Sequence, residues 1–150
     1  MKLEGIHHVT CITGNAPENV DFYTGTLGLR LVKKSVNQDD PTVYHLFYAD
    51  EKGTPGSDIT FFEYPGAAPG RAGTGMVHRV IWRVGADAAL DFWADRVGVE
   101  RDADAVVFAD PEGLEHELRL SAATFACFPA SGEMCLIIGT EFTMRSISSY

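Results

Sequence analysis

Cysteine is scarce: the 150 residues contain three, Cys11, Cys127 and Cys135. They are far apart, odd in number and form no CxxC. A disulfide framework and a zinc knuckle are thereby excluded, and a reducing cytoplasm is the expected setting. No apolar run approaches the roughly 18–20 residues of a membrane helix. Met1-Lys2-Leu3-Glu4-Gly5 has no apolar core, so no secretory leader is expected. Basic residues are also in short supply, 12 Lys and Arg against 21 Asp and Glu, for a net charge of −9. That removes the basic footprint needed for nucleic acid or anionic lipid, and neither partner is expected. No GxGxxG follows a strand-like run, and GxxxxGK[ST] is absent, so the phosphate-cradling loops are missing. What remains is 45% apolar and 22% charged residues, the balance of one globular domain.

The informative feature is an internal repeat. Residues 5–28 (GIHHVTCITGNAPENVDFYTGTLG) and 75–98 (GMVHRVIWRVGADAALDFWADRVG) superpose at a shift of 70. His8 then falls on His78, Asp21-Phe22 on Asp91-Phe92, Tyr23 on Trp93 and Gly28 on Gly98. Each copy opens with a strand-like run, continues into a helix and ends at a glycine suited to a left-handed helix terminus. Asn15 and Glu18 make a capping pair, and Pro17 is tolerated in a first turn. Val20, Tyr23 and Leu27, like Ala86, Leu90, Trp93 and Val97, form apolar stripes at helical spacing, read as core packing. Strands are expected over 29–36, 42–48 and 58–64, and again over 99–102, 105–109 and 114–120. Lys52–Gly56 and Asp110–Gly113 supply turns. The predicted fold is α+β, two tandem strand–helix–strand–strand–strand (βαβββ) modules at 3–66 and 75–120. A Gly/Pro linker covers 65–75, and the tail 121–150 has no placement beyond an edge-strand candidate at Leu136-Ile137-Ile138.

His7-His8-Val9-Thr10, the Asp21-Phe22-Tyr23 helix and the Leu27-Gly28-Leu29-Arg30 exit resemble the vicinal oxygen chelate superfamily. Its members include glyoxalase I, antibiotic-resistance proteins and extradiol dioxygenases. Val32–Asn37, Tyr44–Tyr48 and Gly53-Thr54-Pro55-Gly56 are similar to the hydroquinone-type ring-cleaving dioxygenases. The resemblance covers about residues 3–120. It implies a cupped mixed sheet with helices on its outer face, and a divalent metal in the cup, Fe(II) or Mn(II). It also implies a small aromatic diol and O2 as substrates. A homodimer is an option, because paired modules commonly dimerise in this group. That subgroup carries four modules and binds metal between the first and the last. This chain holds two, so a truncated form is the expectation.

The candidate ligands follow. His8 stands at the resemblance's first-strand ligand position, and neutral imidazole suits Fe(II), Mn(II), Zn(II) or Ni(II). The alternative is a hydrogen-bonded strand histidine. His7, next to it, is the acid–base candidate that the resemblance implies. Glu117 follows the Asp110-Pro111-Glu112-Gly113 turn at the superfamily's carboxylate position. Strand alternation groups it with Glu115 and Arg119, against Leu114, His116, Leu118 and Leu120 on the helix-packing face. The alternative is a solvated Glu–Arg pair.

For the second copy's first strand two counts disagree. Counting 14 residues back from Phe92, as from Phe22 to His8, reaches His78. Alternation instead puts Arg79 in the cup, where a guanidinium cannot ligate a metal but suits an anionic substrate. Glu63 would complete the His₂Glu₂ set that a glyoxalase-type resemblance implies; the alternative, and the favoured reading, is an exposed loop-edge acid. Without it, His8, His78 and Glu117 make a 2-His-1-carboxylate set. Tyr44 and His45 point to opposite strand faces, and one of them can supply proton transfer. Phe61 and its neighbour Phe62 are candidate substrate walls, and Cys11 is a buried small residue. The expected function is a metal-dependent ring-cleaving dioxygenase. The rivals are a glyoxalase-type lyase or transferase and a non-catalytic binding module.

Overall fold

The computed structural model describes residues 6–54, 56–73 and 78–120. The predicted tail strand, Cys127, Cys135 and Pro55 lie outside them. The first copy builds a four-stranded sheet from β1 (His8–Thr13), β2 (Arg30–Val36), β3 (Tyr44–Ala49) and β4 (Asp58–Glu63). Its order is β1-β4-β3-β2, with β1 parallel to β4 and the other pairs antiparallel. The second copy builds a three-stranded sheet, β5-β7-β6, from β5 (Arg79–Val84), β6 (Ala105–Ala109) and β7 (Glu115–Leu120). The α+β architecture of two helix-bearing mixed sheets stands as predicted.

Residues 99–102 form no strand, which corrects the second copy's expected count. Arg101 explains it. Its guanidinium reaches back to Asp87 and Asp91 on the preceding helix, at 2.8 and 2.9 Å. The Asp102 N–H donates to the Ala105 carbonyl at 2.9 Å, so the chain turns directly into β6. The segment is spent on a helix clasp and a turn.

Helix α1 (Ala16–Val20) starts as its signals require. The Asn15 side chain accepts the Glu18 N–H, and the Ala16 N–H donates to Glu63 Oε1 at 3.0 Å. The helix then widens into a π turn over Asp21–Thr26, where the Leu27 N–H reaches the Phe22 carbonyl. In the second copy α2 (Asp87–Val97) is α-helical throughout and closes at Gly98, φ 71°, whose N–H bonds the Ala94 carbonyl. Ala86 is its exposed N-cap and not part of the buried stripe.

The π turn accounts for the disagreement between the two counts. Strand starts (His8, Arg79) and helix starts (Ala16, Asp87) are 71 residues apart, while the closing glycines (Gly28, Gly98) are 70 apart. The first copy carries one extra helical residue, and a π bulge is how a helix absorbs one. Upstream of that insertion the structural equivalent of His8 is Arg79.

Both helices pack on one face of their sheets, and the two copies share a core. Tyr23, Tyr48, Phe61, Trp82, Leu90 and Leu118 are essentially fully buried in it. The Tyr23 ring lies 4.7 Å from Phe61 and 5.2 Å from Tyr48 in its own module, and 5.7 Å from His116 in the other. Phe22 extends the contact to Phe108. Burial of these large aromatic surfaces, about 25 cal/mol per Å² of apolar area, holds the copies together.

Candidate active site

Register decides which side chains share the face opposite the helices. In the first sheet Val9 and Cys11 turn to the core, as do Leu46, Tyr48, Ile59 and Phe61. Alternation therefore sends His8, Thr10 and Ile12 to the other face. Directly across the parallel pairing stand Asp58, Thr60 and Phe62. His45 pairs with Phe62, Phe47 with Thr60, and Ser35 and Lys33 follow on β2. Thr60 Oγ1 donates to Thr10 Oγ1 at 3.0 Å across this face. The face is thus an imidazole-bearing, aromatic surface with one cation, Lys33, on its far strand.

His7 and His8 are both exposed, and their Nδ1 atoms are 3.1 Å apart. One Nδ1 donates to the other, and a neutral ring that donates there turns a bare Nε2 outward. His7 Nδ1 also lies 4.0 Å from Asp58 Oδ2. His45 sits between Phe47 and Phe62, at ring-centroid distances of 3.9 and 4.0 Å. Burial, then the neighbouring His8 and Lys33, push its pKa below the ordinary histidine value, so the ring is neutral at pH 7. Its Nε2 is buried and has no hydrogen-bond partner.

Tyr44 points the other way and is exposed, with Lys34 Nζ 3.9 Å above its ring. Of the adjacent pair it is His45 that shares a face with His8. Phe61 is 1% exposed in the core, so it cannot wall a substrate site. Strand parity gives that place to its neighbour Phe62. Cys11 is half-buried against the core, and burial, with Asp110 nearby, pushes its thiol up to about 12.

On the second sheet the corresponding face carries Arg79, Glu115, Glu117 and Arg119. Alternation along β7 puts Glu117 where the sequence predicts, but its carboxylate is engaged. Arg79 Nη1 donates to Glu117 Oε2 at 2.8 Å, and the Arg119 guanidinium pairs with Oε1. Arg79 Nε also donates to Glu115 Oε2 at 3.0 Å. The Glu117 side chain is 3% exposed, so this is a buried carboxylate neutralised by two arginines. His78 precedes β5, is exposed, and lies 3.9 Å from Glu115 Oε2. Glu63 acts as a helix cap, holding the Ala16 N–H.

A divalent ion needs three or more converging donors from one centre. Among the described residues no three His, Cys, Asp or Glu side chains gather in this way. His8, His78 and Glu117 are therefore not brought together as an ion site within the described residues. Arg79 holds the carboxylate that the ion would need.

Sequence reasoning missed the buried polar chain between the modules. Trp82 Nε1–H donates to His116 Nδ1 at 2.9 Å. An indole nitrogen can only donate, so the His116 proton is on Nε2. That nitrogen is 3.0 Å from the Tyr23 hydroxyl, which in turn donates to Asp110 Oδ2 at 2.9 Å. Asp110 Oδ1 accepts the N–H groups of Glu112 and Leu114. Alternation put His116 on the packing face correctly. Its signal was a histidine amid Leu114, Leu118 and Leu120, a polar group that a core accepts only with partners.

The chain matches the family model described as "Glyoxalase/Bleomycin resistance protein/Dioxygenase superfamily" over residues 5–98. It is 48% identical over 123 residues to "Putative ring-cleaving dioxygenase MhqA" of Bacillus subtilis, covering 75% of this chain and 39% of that protein. It is 37% identical over 98 residues to the "Chlorohydroquinone/hydroquinone 1,2-dioxygenase" of Sphingobium indicum, covering 64% of this chain and 30% of the relative. The crystal structure of a "putative dioxygenase" from Bacillus subtilis superposes with a TM-score of 0.72 at 40% identity. That match covers 89% of this chain and 46% of the other. The chain thus spans less than half the length of these relatives.

Proposed function

This chain belongs to the Glyoxalase/Bleomycin resistance protein/Dioxygenase superfamily, and on that premise we propose that it is a two-module unit of a ring-cleaving dioxygenase for small aromatic diols. Its similarity to proteins named as ring-cleaving dioxygenases carries the reading. The face of the first sheet supports it, with exposed imidazoles, His7 and His8, beside an aromatic row at Phe47 and Phe62. In that reaction both atoms of O2 enter the opened ring. The oxygen chemistry would be supplied by a divalent ion, Fe(II) or Mn(II) in our assignment. His8 is this chain's candidate donor to such an ion. Glu117 and His78 are not gathered with it among the described residues.

The chain's own residues then have definite work. The His7–His8 pair, joined through Nδ1, holds one ring's Nε2 bare. His7, beside Asp58, can take or return a substrate proton. Arg79 is committed to Glu115 and Glu117, so its sequence-derived role toward an anionic substrate is secondary to bracing the second sheet.

The test is metal content and oxygen uptake after loading with Fe(II) or Mn(II). Hydroquinone-dependent oxygen consumption that His8→Ala abolishes supports the reading. The metal bound by the chain falls in His8→Ala and persists in Glu117→Ala. A wild-type chain that neither binds hydroquinone with metal present nor consumes oxygen with it overturns the reading. A second reading, a non-catalytic binding module, is favoured by the Arg79–Glu117–Arg119 cluster. It predicts aromatic-diol binding with no metal uptake.

A further inference from the structure

His45 combines observations that core packing alone does not explain. Its ring is wedged between Phe47 and its cross-strand partner Phe62, on a face open to solvent at His8, Thr10 and Lys33. Its Nε2 lies buried without any hydrogen-bond partner. A buried polar nitrogen left unpaired costs free energy, whereas phenylalanine would fill the same aromatic slot with no such cost. Lys33 Nζ stands 5.7 Å from the Phe47 ring centroid and closes the row with a positive charge. The chain is otherwise acidic, net −9, so this cation is set against the overall field.

The geometry points to the row Lys33–Phe47–His45–Phe62 as the seat of an anionic aromatic ring, a hydroquinone or catechol monoanion. The ligand's ring stacks along Phe47 and Phe62. Its ionised oxygen lies toward the Lys33 ammonium. Its remaining hydroxyl donates to His45 Nε2 and supplies the missing partner. A neutral imidazole retains one bare acceptor nitrogen for that hydroxyl. His45 and Lys33 are thereby specificity residues. They select an aromatic ring that carries both a hydroxyl and a negative charge. The assignment rests on the ring-cleaving reading and deepens it by naming the groups that hold the diol.

The test separates this seat from the metal. Hydroquinone binding to the 150-residue chain is titrated at mildly alkaline pH in chelator-treated buffer. Wild type, His45→Phe and Lys33→Gln are compared, with 1,4-dimethoxybenzene as a ring that has neither hydroxyl nor charge. The seat predicts that both variants bind hydroquinone about tenfold or more weakly, the equivalent of one lost hydrogen bond or ion contact. It predicts no preference of wild type over the variants for dimethoxybenzene. It further predicts that His45→Phe unfolds roughly 2–4 °C higher than wild type, because the unpaired nitrogen is gone. Equal hydroquinone affinity in wild type and His45→Phe overturns the seat but leaves the ring-cleaving reading standing. Wild-type binding that appears only when Mn(II) is added has the same consequence. No wild-type binding even with metal takes down both. A His45→Phe protein that melts lower than wild type also counts against the seat, since it makes the histidine a structural partner.

Discussion

The buried His116 makes a quantitative prediction about acid stability. Burial pushes its pKa from the ordinary value of 6.5 down to about 3. Its Nδ1 is committed to the Trp82 N–H, so protonation would set a donor against a donor. In the unfolded chain the imidazole titrates near 6.5 and takes up a proton that the folded protein refuses. Folding stability from this group is therefore complete above pH 6.5. It is lost progressively as pH falls, at about 1.4 kcal/mol per pH unit, until the folded form also protonates near pH 3. The whole loss is about 5 kcal/mol, a large share of a domain's typical 5–15 kcal/mol. His116→Gln isolates the effect. Glutamine can accept from Trp82 and donate toward Tyr23, yet does not titrate. The assay is urea unfolding at half-unit steps from pH 7.5 to 4. Subtracting the variant's profile from wild type cancels the carboxylates and the other histidines. The difference should change by about 1.4 kcal/mol per unit below pH 6. Parallel profiles would show that His116 is hydrated or protonated in the native state, and the buried chain as described would be wrong.

Three further outcomes follow from the same packing. Tyr23→Phe removes the hydroxyl that serves both Asp110 and His116, so two buried groups lose a partner; urea unfolding should show a loss of about 2–4 kcal/mol. Arg79→Ala leaves the buried Glu117 carboxylate with Arg119 alone. About 2 kcal/mol should be lost, discounted because Arg79 is 36% exposed, and Arg79→Ala with Glu117→Gln should recover most of it in a double-mutant cycle. Gly98→Ala forces an L side chain to φ 71°, and calorimetry should show a destabilisation of about 1 kcal/mol.

Local signals were legible wherever a period or a cap controls the chain. The β5 and β7 faces follow the alternation of extended strands, which by itself groups Arg79 with Glu117 and His116 with Leu118. Asn15 and Gly98 mark their helix ends through backbone chemistry that acts within four residues. What stayed hidden depends on partners distant in sequence. Glu63 looks like an edge acid until β4 brings it under α1, 47 residues away. Phe61 and Phe62 are indistinguishable in composition, and only the register of β4 against β1 and β3 tells core from surface. The strand expected at 99–102 failed because Arg101 found two carboxylates on α2, contacts that β propensity does not weigh.

The π turn connects these local facts to function. A superposition anchored on the helix, at Phe22 and Phe92, pairs His8 with His78. One anchored on the strands pairs His8 with Arg79. Because a one-residue slip moves every strand side chain to the opposite face, the two alignments assign opposite chemistry to the second sheet. The helical bulge at Asp21–Thr26 takes up the extra residue within the helix and leaves β1 and β5 in the same register against their parallel partners. The second module therefore presents a guanidinium where the first presents an imidazole. That cation then recruits Glu117 as its counter-ion. One scaffold thus carries an open, imidazole-bearing face on one sheet and a closed ionic lattice on the other.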